Sequence, residues 1–180
     1  MKRASREEIL KELSAKWAER GKRHLYLVLG KVSALAQFEK DLSFAKAPGR
    51  QPLDAVLSVN QELLKRLPGD EADRLINGEA KYPTMITERL AREFDALVKD
   101  SQAERDVVVL KDLELVFAFD LDLASLRLRA VNGKHIVLLL PGHCTGGRII
   151  LYHEAEERFH RALPTNLVMD AHIWEIGHAE

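Results

Sequence analysis

His24-Leu25-Tyr26-Leu27-Val28-Leu29, followed by Gly30, is an unbroken apolar run with a breaker behind it. An apolar run of this length predicts a strand buried on both faces, because a half-exposed strand would alternate polar and apolar residues. A helical pattern built on Leu35, Phe38 and Leu42 follows at once, and Ala47-Pro48-Gly49 breaks it. Three more runs resemble the first: Leu53 to Val59, Asp106 to Leu110 and His135 to Leu140, the last being the clearest. Shorter late strands are expected over Arg148 to Tyr152 and Leu167 to Ile173.

Between the runs lie amphipathic helices. Asn60 can cap a short helix over Gln61 to Leu67, which Pro68-Gly69 stops. Asp70 to Ile76 reads as a further helical turn or two before Gly78. Behind Pro83, Ile86, Leu90, Phe94 and Leu97 share one helical face. Leu113 to Phe117 reads as an irregular continuation of the third strand, and Leu121 to Val131 as a helix ended by Asn132-Gly133. Buried strands alternating with such helices predict an α/β fold: three layers, with a mainly parallel central sheet. Ligands in such sheets bind at the carboxyl ends of the strands, here behind Leu29, Val59, Leu110 and Leu140.

An extra helix precedes the first run. Ser5 and Glu8 have capping-box spacing, and Ile9, Leu10, Leu13 and Trp17 form one stripe over Ser5 to Arg20, with Gly21 as terminator. The expected organisation is an N-terminal amphipathic helix over 1–23 and an α/β domain over 24–180. The stripe can cover its own domain or dock into a partner, with Ile9, Leu13 and Trp17 as contacts.

Composition narrows the function classes. The chain has 180 residues, enough for a single core, and 46% are hydrophobic against 31% charged, which predicts folding rather than disorder. Lys+Arg 27 balance Asp+Glu 28, a net charge of -1, so no strong field draws nucleic acid or an anionic membrane. The basic segment Lys16, Arg20, Lys22, Arg23 reads as a helix C-terminal charge cluster. The lone Cys144 excludes an internal disulfide. No apolar run approaches the roughly 20 residues of a membrane helix, and Met1 to Ser14 lacks a signal-peptide core, so a cytoplasmic location with no membrane partner is expected.

A strand, Gly30 and a helix occupy the place of a phosphate-binding Walker A loop. That loop requires G-x-x-x-x-G-K-[ST], glycines to wrap the phosphates, a lysine to reach them and a hydroxyl for Mg²⁺. The chain offers Gly30-Lys31-Val32-Ser33-Ala34-Leu35-Ala36-Gln37, so Leu35, Ala36 and Gln37 stand where glycine, lysine and hydroxyl belong. Gly30, Lys31 and Ser33 are at most remnants. A metal-anchoring carboxylate should close the third strand. Lys111 stands there instead, with Asp112 and Glu114 just beyond. A P-loop-like fold without ATP or Mg²⁺ chemistry, a pseudo-NTPase, is therefore expected, with no catalytic residue and no cofactor.

Leu57 to Leu67 (LSVNQELLKRL) and Val107 to Phe117 (VVVLKDLELVF) carry a family resemblance, with weaker echoes in Gly133 to Gly142 and in Tyr152 with Arg158 to Pro164. The chain resembles the small P-loop protein of bacteriophage-exclusion (BREX) systems, the BrxF type, over about His24 to Leu163. Asn60, Glu62, Leu63 and Arg66 match that family's V-N-x-E-L-x-x-R; Glu114 and Phe117 match its D-N-I-E-I-L-F, while Lys111 replaces its Asp and the Gly-rich loop is missing. The resemblance implies an accessory or adaptor subunit of an anti-phage complex. Its partners would be other proteins, such as a larger ATPase, a methyltransferase or a phosphatase-like component, or a second copy of the chain. Nucleic acid would be reached through those partners. Two alternatives stay open: a nucleotide-binding switch or weak ATPase using Lys31, Ser33, Asp112 and Glu114 irregularly, and a DNA-contacting accessory subunit.

Other residues carry weaker signals. His143, His153, His160, His172 and His178 match no metal-ligand spacing, so no metal site is expected. Pro141 to Gly147 reads as a two-part turn, and adjacent His143 and Cys144 as pointing apart. Arg158 and Arg161, three apart, can share a helix face as a partner contact, or pair with Glu154 and Glu157.

Overall fold

The computed structural model describes residues 1–19, 23–45, 56–67, 69, 83–163 and 167–177. Arg20, Gly21, Lys22, Ala47-Pro48-Gly49, the start of the Leu53 run, Asp70 to Ile76, Gly78, Pro164 and His178 lie outside them. In chain order the elements are β1 (Lys2–Ala4), α1 (Arg6–Trp17), β2 (Leu25–Gly30), α2 (Val32–Ser43), β3 (Leu57–Ser58), α3 (Val59–Arg66), α4 (Pro83–Glu104) and β4 (Val107–Lys111). They continue through α5 (Glu114–Ala118), α6 (Ala124–Arg129), β5 (His135–Thr145), β6 (Arg148–Leu151), β7 (Arg161–Leu163) and β8 (Ile173–Ile176).

The fold is α/β on a mixed sheet of eight strands, ordered β1-β8-β2-β5-β4-β3, with β6 beside β5 and β7 beside β6. Neighbours along the main path run parallel. The β5–β6 and β6–β7 pairs are antiparallel, so a uniform strand direction does not hold. Their source is the Pro141 to Gly147 segment. It is not a two-part turn: β5 runs on through it, Gly142 faces Leu151 and Cys144 faces Ile149, and only Gly146 and Gly147 turn, at φ 55 and 74. Glycine adopts that left-handed backbone without strain, which closes a tight hairpin.

The apolar runs are buried on both faces because helices cover both. Tyr26, Val28, Val107, Val109, Val137 and Leu139 pack against α1 and α2; Leu27, Leu29, Val108, Leu110, Ile136 and Leu138 pack against the α3–α6 side. Alternation of side chains along each strand divides the two sets.

Four elements depart from expectation. α3 starts at Val59 with Ser58 at its N-cap, so Asn60 lies inside the helix and Val59 is not in the strand. Leu113 to Phe117 does not extend the strand; Asp112 turns left-handed at φ 53, and α5 begins at Glu114. The last strand is β8 over Ile173–Ile176, preceded by a 3-10 turn at Asp170–His172. Lys2–Ala4, charged and unpromising as sequence, pairs with β8 as an edge strand. The capping box of α1 is formed as its spacing predicts, with Ser5 and Glu8 bonded reciprocally. Ile9, Leu13 and Trp17 are buried against Tyr26, Val28 and Trp174, so residues 1–19 join the sheet and core of the rest. These three side chains cover their own sheet, not a partner's groove.

Candidate functional site

The carboxyl end of β2 has no loop. Gly30 is the last strand residue, Lys31 sits at the helix N-cap with extended backbone (φ -66, ψ 152) and no side-chain cap, and α2 starts at Val32. The helix takes its first backbone amide at Leu35, whose N–H donates to the Lys31 carbonyl at 3.0 Å, and the amides of Val32, Ser33 and Ala34 precede that bond. Leu35 is buried in the α1–α2 core, as its apolar side chain predicts.

One free donor of the first turn has a partner. The Val32 N–H donates to Glu154 Oε2 at 3.0 Å, across from the turn that follows β6. A helix N-terminus carries partial positive charge and attracts anions. Here the anion is a carboxylate of the same chain. Lys31 and Ser33 line a neighbouring cleft of 710 Å³ together with Ser5, Arg6, Gln37 and Gly177.

At the end of β4, Lys111 Nζ donates to both carboxylate oxygens of Glu39 on α2, each at 2.9 Å. The lysine that closes β4 is therefore held in place by an acidic partner. Asp112, left-handed, offers its carbonyl to the Asn60 N–H at 3.0 Å. The Asn60 side chain donates to Glu114 Oε2 at 2.6 Å and accepts the Leu115 N–H at 3.1 Å. Asn60 thus clasps the β3–α3 junction to the β4–α5 junction. Leu57 to Leu67 and Val107 to Phe117 meet through these bonds, and Arg66 reaches Asp100 on α4 at 2.9 Å. Beside them Tyr152 is left-handed at φ 58. Its buried hydroxyl has no hydrogen-bond partner among the described residues. Burial, then the Glu114 and Asp112 carboxylates, raises its pKa above the usual phenol value.

Of the remaining candidates, the His143–His153 pair lies near this end, with Glu154 and Lys31 among the charges His153 feels. His143 meets His153 edge-on, ring centroids 4.4 Å apart, while Cys144 packs towards the α3–α6 core, so the two adjacent residues do point apart. Among the described residues no three His, Cys, Asp or Glu side chains converge to hold a metal ion. Arg158 and Arg161 share no helix face: Glu157–Phe159 is a single 3-10 turn and Arg161 begins β7. Arg158 pairs with Glu156 at 3.0 Å and lies over the Phe159 ring, and Arg161 donates to the carbonyls of Arg158 and His160. Among the described residues no helix is long and apolar enough to cross a membrane.

A polar cluster at the opposite end of the sheet escaped the sequence reading. His24 and His135 immediately precede the first paired residues of adjacent strands, Leu25 and Ile136, so parallel pairing sets them side by side with ring centroids 4.2 Å apart. Tyr26, two residues on, shares their face, and its hydroxyl lies 3.2 Å from His24 Nδ1 and 3.3 Å from His135 Nδ1. His172 packs on the Tyr26 ring at 4.7 Å and bonds the Leu25 carbonyl through Nδ1 at 3.3 Å. The signal was present as a histidine at the head of each of the two strongest strands.

Comparison with family models, with curated proteins and with solved structures finds no match to the chain.

Proposed function

We propose that this chain is a non-hydrolytic, P-loop-like subunit of a bacterial anti-phage (BREX-like) assembly, acting as an adaptor through contacts with other proteins. The single observation that carries the reading is the Glu154 carboxylate on the Val32 N–H, at the place where a nucleotide phosphate would sit. The one-residue junction at Lys31 removes the loop that would cradle phosphates, and the Lys111–Glu39 pair puts a cation where Mg²⁺ would need a carboxylate. The strand order supports the P-loop-like frame: β2, followed by the helix in the phosphate-binding place, lies inside the sheet between β5 and β8. The Asn60–Glu114 clasp gives the residues behind the family resemblance a structural duty that needs no nucleotide.

Co-expression with the proteins encoded beside it, followed by size-exclusion chromatography, tests the adaptor role. Stoichiometric co-elution with at least one of them, unchanged by added Mg·ATP, is expected. Elution alone in every combination contradicts it.

A further inference from the structure

The His24, Tyr26, His135 and His172 cluster serves neither end of the proposed site, and its geometry constrains its protons. The four residues are between 0% and 9% exposed. Tyr26 has one hydroxyl hydrogen and faces two imidazole nitrogens. It can donate to one Nδ1 only, and must accept an N–H from the other. Neutral imidazoles satisfy that arrangement. A second proton on the accepting ring sets an N–H against the hydroxyl hydrogen, one on the donating ring goes to Nε2, and either places a cation in an apolar core. With both rings charged, two cations would stand 4.2 Å apart. Among the described residues His24 Nε2 is already buried without a hydrogen-bond partner, so an extra proton there gains no acceptor among them.

We propose that this cluster is an acid-sensitive lock, which in its neutral form holds the heads of β2 and β5 to the turn before β8, and on protonation releases that turn and with it the β8–β1 edge. The turn is held from below by His172, whose Nδ1 donates to the Leu25 carbonyl, and by its packing on Tyr26. The charged groups facing the cluster among the described residues are Lys16 and Glu19 at the end of α1 and Asp106 before β4. Glu19 favours protonation of His24 and His172, Asp106 favours it for His135, and Lys16 opposes it for His24 and His172. Burial outweighs them: His24, His135 and His172 all lie below the usual imidazole value, His135 at about 4.

The sign follows from linkage. A base with a depressed folded pKa binds fewer protons folded than unfolded. Its stabilising contribution is complete above the unfolded value of about 6.5 and is lost as pH falls towards the folded value. The lock is closed at neutral pH and opens between about 6.5 and 4.

Trp17 and Trp174, the chain's two tryptophans, report on it, since Trp174 lies 6.1 Å from the Tyr26 ring and Trp17 shares their core. Their fluorescence, followed against pH in the full chain, should show a cooperative transition in that window. In His24→Leu/Tyr26→Phe/His135→Leu, where an apolar trio replaces the relay, the midpoint should move about one pH unit or more to the acid side. A folded triple variant with an unmoved midpoint overturns the proposal. Imidazole NMR titration of the unsubstituted chain decides independently of whether that variant folds. The His24 and His135 rings should stay neutral until the transition and protonate within it. Rings that titrate freely near the ordinary value, with the amide spectrum unchanged, overturn the proposal as well.

Discussion

The Glu154 carboxylate accepts the Val32 N–H at 3.0 Å, and so a side chain from the turn behind β6 caps the helix that follows β2. The contact joins residues 122 positions apart and puts a negative charge on a helix N-terminus. Its consequence for stability is modest, because Glu154 is exposed and salt screens it. The Glu154→Gln substitution should cost about 0.3–1 kcal/mol at low ionic strength, and less in high salt. Urea unfolding at two salt concentrations measures both. A salt-independent loss would show that the charge is not what matters.

The Lys111–Glu39 pair tests whether the end of β4 is built for a cation of its own. Both side chains are about one-third exposed, so the pair should contribute on the order of 1 kcal/mol. Lys111→Asp places a carboxylate at the end of β4, and sets it against Glu39. The expected result is a destabilised protein without ATP hydrolysis. Combining Lys111→Asp with Glu39→Lys should recover most of the loss, as a double-mutant cycle would show. Phosphate release appearing in Lys111→Asp would mean that a single residue separates this chain from an ATPase.

Much of this was legible in advance, and the reasons for the gaps are physical. The runs at Leu25, Val107 and His135 declared themselves as buried strands because parallel strands covered on both faces leave no polar alternation to confuse them. The short junction between β2 and α2 was equally readable, since Leu35 continues the apolar face of the helix that starts at Val32. Two kinds of feature were not readable. β1 is three residues long and charged, and it becomes a strand only because β8 supplies an edge. The Glu154 cap and the Asn60–Glu114 clasp join residues far apart in sequence, and only strand order brings them together. The Pro141 to Gly147 segment misled because proline and glycine usually signal a turn. Here Pro141 falls where β5 leaves the parallel sheet for the hairpin, and its carbonyl receives the Tyr152 N–H at 2.8 Å.

Trp17 is 3% exposed and packs with Tyr26 and Trp174 in the core beneath α1. Trp17→Ala should cost about 3–5 kcal/mol, a large part of the roughly 5–15 kcal/mol that holds such a domain. A chain beginning at Lys22 would lose β1 and all of α1 and lay that core open. It should fail to melt cooperatively, because the helix is structural. A shortened chain that melts like the full one would return Ile9, Leu13 and Trp17 to the list of partner contacts.

Calorimetric titration of the full chain with Mg·ATP is the most direct measurement of the central claim. With Lys31 as the whole junction, Glu154 on the helix N-terminus and Lys111 in the metal-anchoring position, no binding at millimolar or tighter affinity is predicted. Micromolar binding that disappears in Lys31→Ala would contradict it and make the protein a nucleotide-dependent switch.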